Sequence, residues 1–293
     1  MSQIDAERAY GQAVPFSIRL CRDWFGLKSL EFMPRDSSPL RLPFTSDDGD
    51  ATVKLVADYL MCPIVLGRHR WQIEELEFAK RVCTGGEPIT LVDVGANMGL
   101  FSRQLLIAIP TITSVFAYEP EPHNFECLTH NLAPFGNKVT PVKVAVSDTS
   151  GKMEFYLDPT NSGNFSLAVD AMPPRFTKTT VETRDVAVEC AAWREPKCRI
   201  FYKSDTEGLD ELVASSIRPD VWQHIFAGMI EIWNIKKPAY DRTVFASILD
   251  RFSNKIFLAN ADNRVLETRV STTDVINYID SGNRQHRDLA FWH

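Results

Sequence analysis

Asp93 stands two residues before Gly95, and Glu119 follows Gly99 after an apolar stretch that ends in Tyr118. Between the two carboxylates runs Gly95-Ala96-Asn97-Met98-Gly99. Glycine belongs where the backbone takes a positive φ or approaches a ligand closely, and asparagine is among the few other residues that tolerate the left-handed region. A strand, a glycine-bearing turn and a helix in succession leave free N–H groups at the helix start, where a polar ligand can bind. A carboxylate ending the next strand, about 20 residues beyond such a turn, suits hydrogen bonding to ribose hydroxyls. The plain alternative for Glu119 is a surface residue at a strand end. Together the signals indicate a site for an adenosine-containing ligand.

The turn narrows the choice. A dinucleotide fingerprint would read G-x-G-x-x-G/A, but Asn97 occupies the second glycine position and Leu100 does not match the third. No G-x-x-x-x-G-K-[ST] run occurs. Asp93 would repel a pyrophosphate but suits a ligand carrying an ammonium and a sulfonium. S-adenosylmethionine has both, and its ribose would engage Glu119. The expected cofactor-binding residues are Asp93, Gly95, Asn97, Gly99 and Glu119, with Asp148 either facing the adenine amine or only initiating a turn. A second charged group lies farther along: Lys203, Asp205 and Glu207, which period-two alternation places on one side of an extended chain, and Glu231 at the end of a later apolar run.

These residues need a parallel sheet to bring their strand ends together. Residues 89–94 form an apolar strand running into the turn and a helix from Leu100. Residues 114–118 give the next strand, 123–132 a helix, 138–146 a third strand ending near Asp148, and 152–157 an inserted strand. Residues 158–174, rich in Asn, Ser, Gly and Pro, read as a lid-like loop, and 179–188 alternate as another strand. Residues 199–204 and 225–233 are strands separated by a helix over 209–217; 255–259 and 265–270 form a terminal hairpin, and 273–279 a closing helix. Upstream, Val53, Val56, Ala57 and Leu60 recur at helical spacing from residue 50 to Pro63, and a second helix covers 71–82. The fold class is therefore α/β: a doubly wound, mostly parallel sheet over residues 71–293, with residues 1–70 as an N-terminal extension or cap.

Composition sets the remaining bounds. A formal charge of −6 over 293 residues argues against a nucleic-acid partner, whose phosphates usually demand a basic surface. Cys21, Cys62, Cys83, Cys127, Cys190 and Cys198 show no C-x-x-C spacing and read as reduced, mostly buried thiols. No signal peptide and no membrane-spanning run is evident, so a cytoplasmic location is expected. Oligomeric state leaves no mark in the sequence.

DVGANMG, YEPEP, KSDTEG and IEIW, in this order and spacing, resemble the FkbM family of class I S-adenosylmethionine-dependent methyltransferases, from about Gly67 to Trp233. Family members usually carry an apolar residue where Ser204 stands and a glutamate where Asp210 stands. The resemblance implies a seven-stranded, Rossmann-like sheet with an antiparallel final hairpin. It also implies O-methylation of a hydroxyl on a small metabolite or sugar-containing acceptor.

For that chemistry, orientation supplies roughly 7–11 kcal/mol and a general base about 10²–10⁴-fold. Asp205 is the preferred base at the carboxyl edge of its strand. Lys203 would hold the acceptor or tune Asp205, and Glu207 and Glu231 are alternative bases or sugar-hydroxyl acceptors. An ion-pair network that merely fixes the turn is the competing reading of Lys203, Asp205 and Glu207. The base reading needs no metal, although oxygen ligands at Asp205, Glu207 and Glu231 would suit Mg²⁺. Trp233 could stack on a sugar face or pack in the core, and His123 reads as a helix-start residue. Two other classes remain: a catalytically silent nucleotide-binding or partner-binding module, and a nicotinamide-dependent oxidoreductase, which Asp93 and Asn97 disfavour.

Overall fold

The computed structural model describes residues 29–32, 53–56, 72–158, 162–163, 165–167, 177–194, 199–234, 239–261, 264–282 and 285–293. Strands β1 (Ser29–Phe32) and β2 (Val53–Val56) pair antiparallel. The helix expected from residue 50 is thus a strand over its described part. Val53 and Leu55 are buried while Lys54 and Val56 are half-buried, so burial follows a period of two. The apolar spacing of Val53 and Val56 fits one helix face equally well. What decides is pairing with β1 and with the buried Asn131, whose amide accepts from the Lys54 N–H at 2.7 Å and donates to its carbonyl at 2.8 Å.

Helix α1 (Ile73–Val82) leads into β3 (Ile89–Val94), whose six residues are all buried, as expected of a strand covered on both faces. The turn then opens α2 (Leu100–Ala108), followed by β4 (Ile112–Tyr118) and α3 (Pro122–Leu132). The last has Pro122 at its first position, and the Glu121 carboxylate accepts from the N–H groups of His123 and Asn124. The single strand expected over 138–146 divides. β5 (Val139–Val142) joins the main sheet, whereas β6 (Ala145–Ser147) leaves it for a small sheet with β7 (Gly151–Leu157) and β8 (Thr177–Asp185).

The chain returns through β9 (Arg199–Ser204), α4 (Asp210–Ser216), β10 (Ile225–Trp233), α5 (Arg242–Leu249), β11 (Asn254–Ala261), β12 (Arg264–Arg269), α6 (Thr272–Asp280) and β13 (His286–Trp292). The main sheet runs β12-β11-β13-β10-β9-β3-β4-β5. From β10 to β5 neighbours are parallel; β13 is antiparallel to both β10 and β11. The expected hairpin exists as β11–β12 at the sheet edge, and β13, which the sequence did not suggest, inserts beside β10. This makes eight strands rather than seven.

Successive residues of the central strands serve opposite faces. Leu91 and Phe201 belong to one apolar cluster with Phe101 and Leu105, whereas Val92 and Tyr202 belong to the other with Trp222 and Phe291. The described cysteines Cys83, Cys127 and Cys190 are buried, and burial pushes the Cys83 and Cys127 thiols up to about 12. Among the described residues no helix is long and apolar enough to cross a membrane.

Candidate active site

The order of chain connection reverses between β3 and β9, and ligands of open α/β sheets bind at the carboxyl ends of strands at such a reversal. A cavity of about 310 Å³ lies at that edge. Gly95 and Asn97 are on its wall, both with positive φ (76° and 50°). The Gly95 and Ala96 N–H groups donate to the Tyr118 carbonyl at 3.1 and 2.9 Å, clamping the turn to β4. Asn97 Nδ2 donates to the Ser162 carbonyl at 3.3 Å, and its Oδ1 is left without a hydrogen-bond partner. Ser162, Gly163, Phe165 and Leu167 close this side of the cavity. They belong to the expected lid segment, of which residues 158, 162–163 and 165–167 are described and the rest lies outside the described residues.

Glu119 lines the same cavity and is 5% exposed. Burial pushes its carboxyl up to about 8. The Glu121 N–H, donating to Oε1 at 2.7 Å, offsets part of this, while the nearby charges of Glu121 and Asp93 add to it.

Three expected cofactor residues sit elsewhere. Asp93 is fully buried beneath the turn and is not on the cavity wall. Its carboxylate accepts from Ser102 Oγ at 2.6 Å and from Lys203 Nζ at 3.2 Å. The β3–β9 register, which sets Asp93 beside Lys203, is the cause. Gly99 is also off the wall. It caps α2 at φ 75°, and an added Cβ would meet Leu128 and Leu132 at 3.2 Å, so its smallness serves helix packing. Asp148 is exposed and off the wall, because departure of β6 into the small sheet carries it away from the carboxyl edge.

The second charged group does converge. Asp205, just past β9, donates its N–H to the Val94 carbonyl at 3.0 Å. Its Oδ2 lies 3.4 Å from Lys203 Nζ and accepts from Gln72 Nε2 at 3.3 Å. The β9–β10 register pairs Ser204 with Ile230, which brings Glu231 alongside Asp205. Carboxylate oxygens of Asp205, Glu207 and Glu231 lie within 4.8 Å of one another. Burial lowers the affinity of Lys203 for its proton, but the attraction of Asp93 and Asp205 outweighs this and holds it above the ordinary lysine range. Both remaining carboxyls are pushed well up: Glu207 first by burial and then by the charges of Asp205 and Asp210, Glu231 first by burial and then by those of Glu207 and Asp205.

Trp233 is off the cavity wall; its Nε1 donates to Glu231 Oε2 at 2.7 Å, and its ring lies 4.8 Å from that of His286. His123 engages Glu121 at the start of α3. Gln72, Glu75, His286 and Asp288 also line the cavity and were missed by sequence reasoning. They come from the ends of α1 and β13, and a charged residue ahead of Leu289-Ala290-Phe291 was the one available hint.

The two departures from the family pattern meet each other. Ser204 Oγ donates to Asp210 Oδ1 at 2.5 Å, and the same carboxylate accepts from the N–H groups of Thr206 and Gly208 at 3.0 and 3.3 Å. Asp210→Ala would strand three donors, and we expect a loss of about 3 kcal/mol in denaturant unfolding. Ser204→Ala should cost about 1 kcal/mol alone and almost nothing in the Asp210→Ala background. Additive losses would show that the pair is not coupled.

The architecture is an α/β fold with a mostly parallel sheet and a carboxyl-edge cavity at the reversal of strand order. No family model and no curated protein matches the sequence. Among solved structures, the chain is similar to the methyltransferase FkbM from Methylobacillus flagellatus, with a TM-score of 0.44 and 16% identity, over 80% of this chain and 52% of that one. It is also similar to precorrin-6y C5,15-methyltransferase from Geobacter metallireducens, with a TM-score of 0.37 and 11% identity, over 76% and 88% of the two chains. A third is M. capricolum TrmK in complex with S-adenosylhomocysteine, with a TM-score of 0.34 and 8% identity, over 74% and 67%.

Proposed function

We propose that the protein is an S-adenosylmethionine-dependent methyltransferase that transfers a methyl group to a hydroxyl oxygen of a small metabolite or sugar-containing acceptor. The observation that carries this reading is that one cavity joins the Gly95–Asn97 turn and Glu119 to Lys203, Asp205, Glu207 and Glu231. The Glu119 carboxylate takes the ribose hydroxyls, and Val144, Val146, Phe165 and Leu167 offer apolar surface for the adenine. Among the described residues six acids line the cavity against one lysine, and the cationic donor meets their field. Asp93 contributes to it only by fixing Lys203. The same field repels a phosphate-bearing acceptor, which favours a small neutral one over a nucleic acid.

Methyl transfer is an in-line displacement, and setting the acceptor oxygen behind the methyl carbon is the larger contribution. Lys203 and Gln72 fix the Asp205 carboxylate, which with Glu207 and Glu231 accepts the acceptor's hydrogen bond and its proton. Methyl transfer from labelled cofactor to a metabolite extract, with mass spectrometry of the product, is the deciding experiment. Cofactor binding without any transfer would leave only a binding module. Asp205→Asn should cut turnover at unchanged S-adenosylhomocysteine affinity; if turnover persists while Glu231→Gln abolishes it, the proton passes to Glu231.

Glu119 gives a pH signature. With its carboxyl at about 8, it is mostly protonated at pH 6, and ribose hydroxyls donate better to the ionised form. Binding therefore favours loss of the proton, and S-adenosylhomocysteine affinity in calorimetry should rise between pH 6 and pH 9. The charges that raise Glu119 are those of Glu121, which also engages His123, and Asp93. Glu119→Gln should weaken binding roughly tenfold at the upper end and flatten the profile. A wild-type profile already flat would remove Glu119 from the ribose site.

A further inference from the structure

We propose that Asp205, Glu207 and Glu231 form a binding site for a divalent cation of the oxygen-preferring class, such as Mg²⁺ or Mn²⁺, in the acceptor half of the cavity. Three carboxylates from two strand ends present oxygens within 4.8 Å of one another. Hard divalent cations bind oxygens at about 2.0–2.6 Å, so ligands on opposite sides of one ion stand roughly 4–5 Å apart. The three oxygens therefore fit a single ion, with further positions left for acceptor oxygens or water.

The charge balance points the same way. Among the described residues Lys203 is the one lysine or arginine on the wall, and it is shared between Asp93 and Asp205 at 3.2 and 3.4 Å. Glu231 has a neutral donor in Trp233, and the Glu207 carboxylate has no hydrogen bond among the described residues. A second observation stands outside the cluster. Glu75, at the start of α1, lines the same cavity, is 9% exposed, and its Oε2 has no hydrogen-bond partner. Buried polar atoms normally have partners, and a cation with its bound water supplies one here. Glu207 is held for the task by a left-handed backbone at φ 57°, its carbonyl accepting from Ser166 Oγ at 2.7 Å. With the ion in place the carboxylates position an acceptor hydroxyl through it, and a hydroxyl bound to such an ion is more acidic than a free one.

The role in methyl transfer rests on the reading above, but occupancy does not, and the two are separable. Titration of the full-length protein with Mn²⁺, followed by electron paramagnetic resonance and calorimetry, should show one ion per chain that Mg²⁺ displaces. Asp205→Asn and Glu231→Gln should each weaken Mn²⁺ at least tenfold while S-adenosylhomocysteine binds as before, which also shows that the variants fold. Mn²⁺ binding without S-adenosylhomocysteine binding would keep the ion site and reject the cofactor. Intact S-adenosylhomocysteine binding with no Mn²⁺ bound at millimolar concentration would overturn the proposal, as would Mn²⁺ binding that neither substitution alters. A cavity that takes an alkylammonium probe but not Mn²⁺ would instead mean that the acids hold a cationic acceptor.

Discussion

Lys203→Met is expected to destabilise the protein by about 3–5 kcal/mol, because it leaves the Asp93 carboxylate buried without its cation. Asp93 is fully buried and Lys203 is 4% exposed, with 3.2 Å between the charged atoms. Ser102 Oγ remains as a neutral donor to Asp93, so the loss falls short of complete isolation. The apolar part of the lysine, with its ammonium 5.3 Å from the Phe101 ring, is largely reproduced by methionine, which separates loss of charge from loss of volume. Removing both charges should be milder than removing one, since replacing a buried pair by uncharged groups is often close to neutral. Denaturant unfolding of Lys203→Met, Asp93→Asn and the double variant measures this. A double variant no more stable than Lys203→Met would show that Asp93 and Lys203 do not depend on each other. In the double variant Asp205 keeps Gln72 but loses its cation, so recovered stability should come without recovered turnover.

That pair also marks where the sequence stopped being readable. Asp93, the turn, Glu119 and the two strand ends bearing Asp205 and Glu231 were legible because each lies at the close of an apolar run, and a strand such as β10 is bounded by its own pattern. Which carboxylate faces the ligand was not legible, because cross-strand register decides it. Asp93 looked like a ligand contact until β9 placed a lysine beside it. Asp148 failed for a related reason, since nothing local says that the chain leaves the main sheet after Val142. β13 was invisible for a third. Its apolar part is Leu289-Ala290-Phe291-Trp292, and it opens on three charged or polar residues, of which His286 and Asp288 line the cavity. In register it sets Asp288 opposite Glu231. Burial, then the Asp205 charge, pushes the Asp288 carboxyl up to about 7.

Gly95→Ala should abolish most activity, with turnover falling by about 10²-fold or more, since misplacing a catalytic group by 1 Å can cost that much. Its φ of 76° alone disfavours a side chain by roughly 1–2 kcal/mol. The larger effect is steric. An added Cβ would stand 1.9 Å from the backbone oxygen of Asp205 and 2.8 Å from its carbonyl carbon. Backbone cannot swing aside as a side chain can, and Asp205 is tied in turn to the Val94 carbonyl by its own N–H. Relief therefore moves either the cofactor turn off β4 or the Asp205 carboxylate away from Lys203 and Gln72. The first weakens S-adenosylhomocysteine binding; the second spares it and removes the acceptor site. Calorimetry alongside turnover tells the two apart. Gly136→Ala is the control for backbone cost without a clash: φ is 58° with ψ at −134°, and nothing lies within 4 Å of an added Cβ. It should show the backbone cost in stability with full activity. Were Gly95→Ala to bind and turn over like Gly136→Ala, the close contact between the β3 turn and the end of β9 would not be what assembles this site.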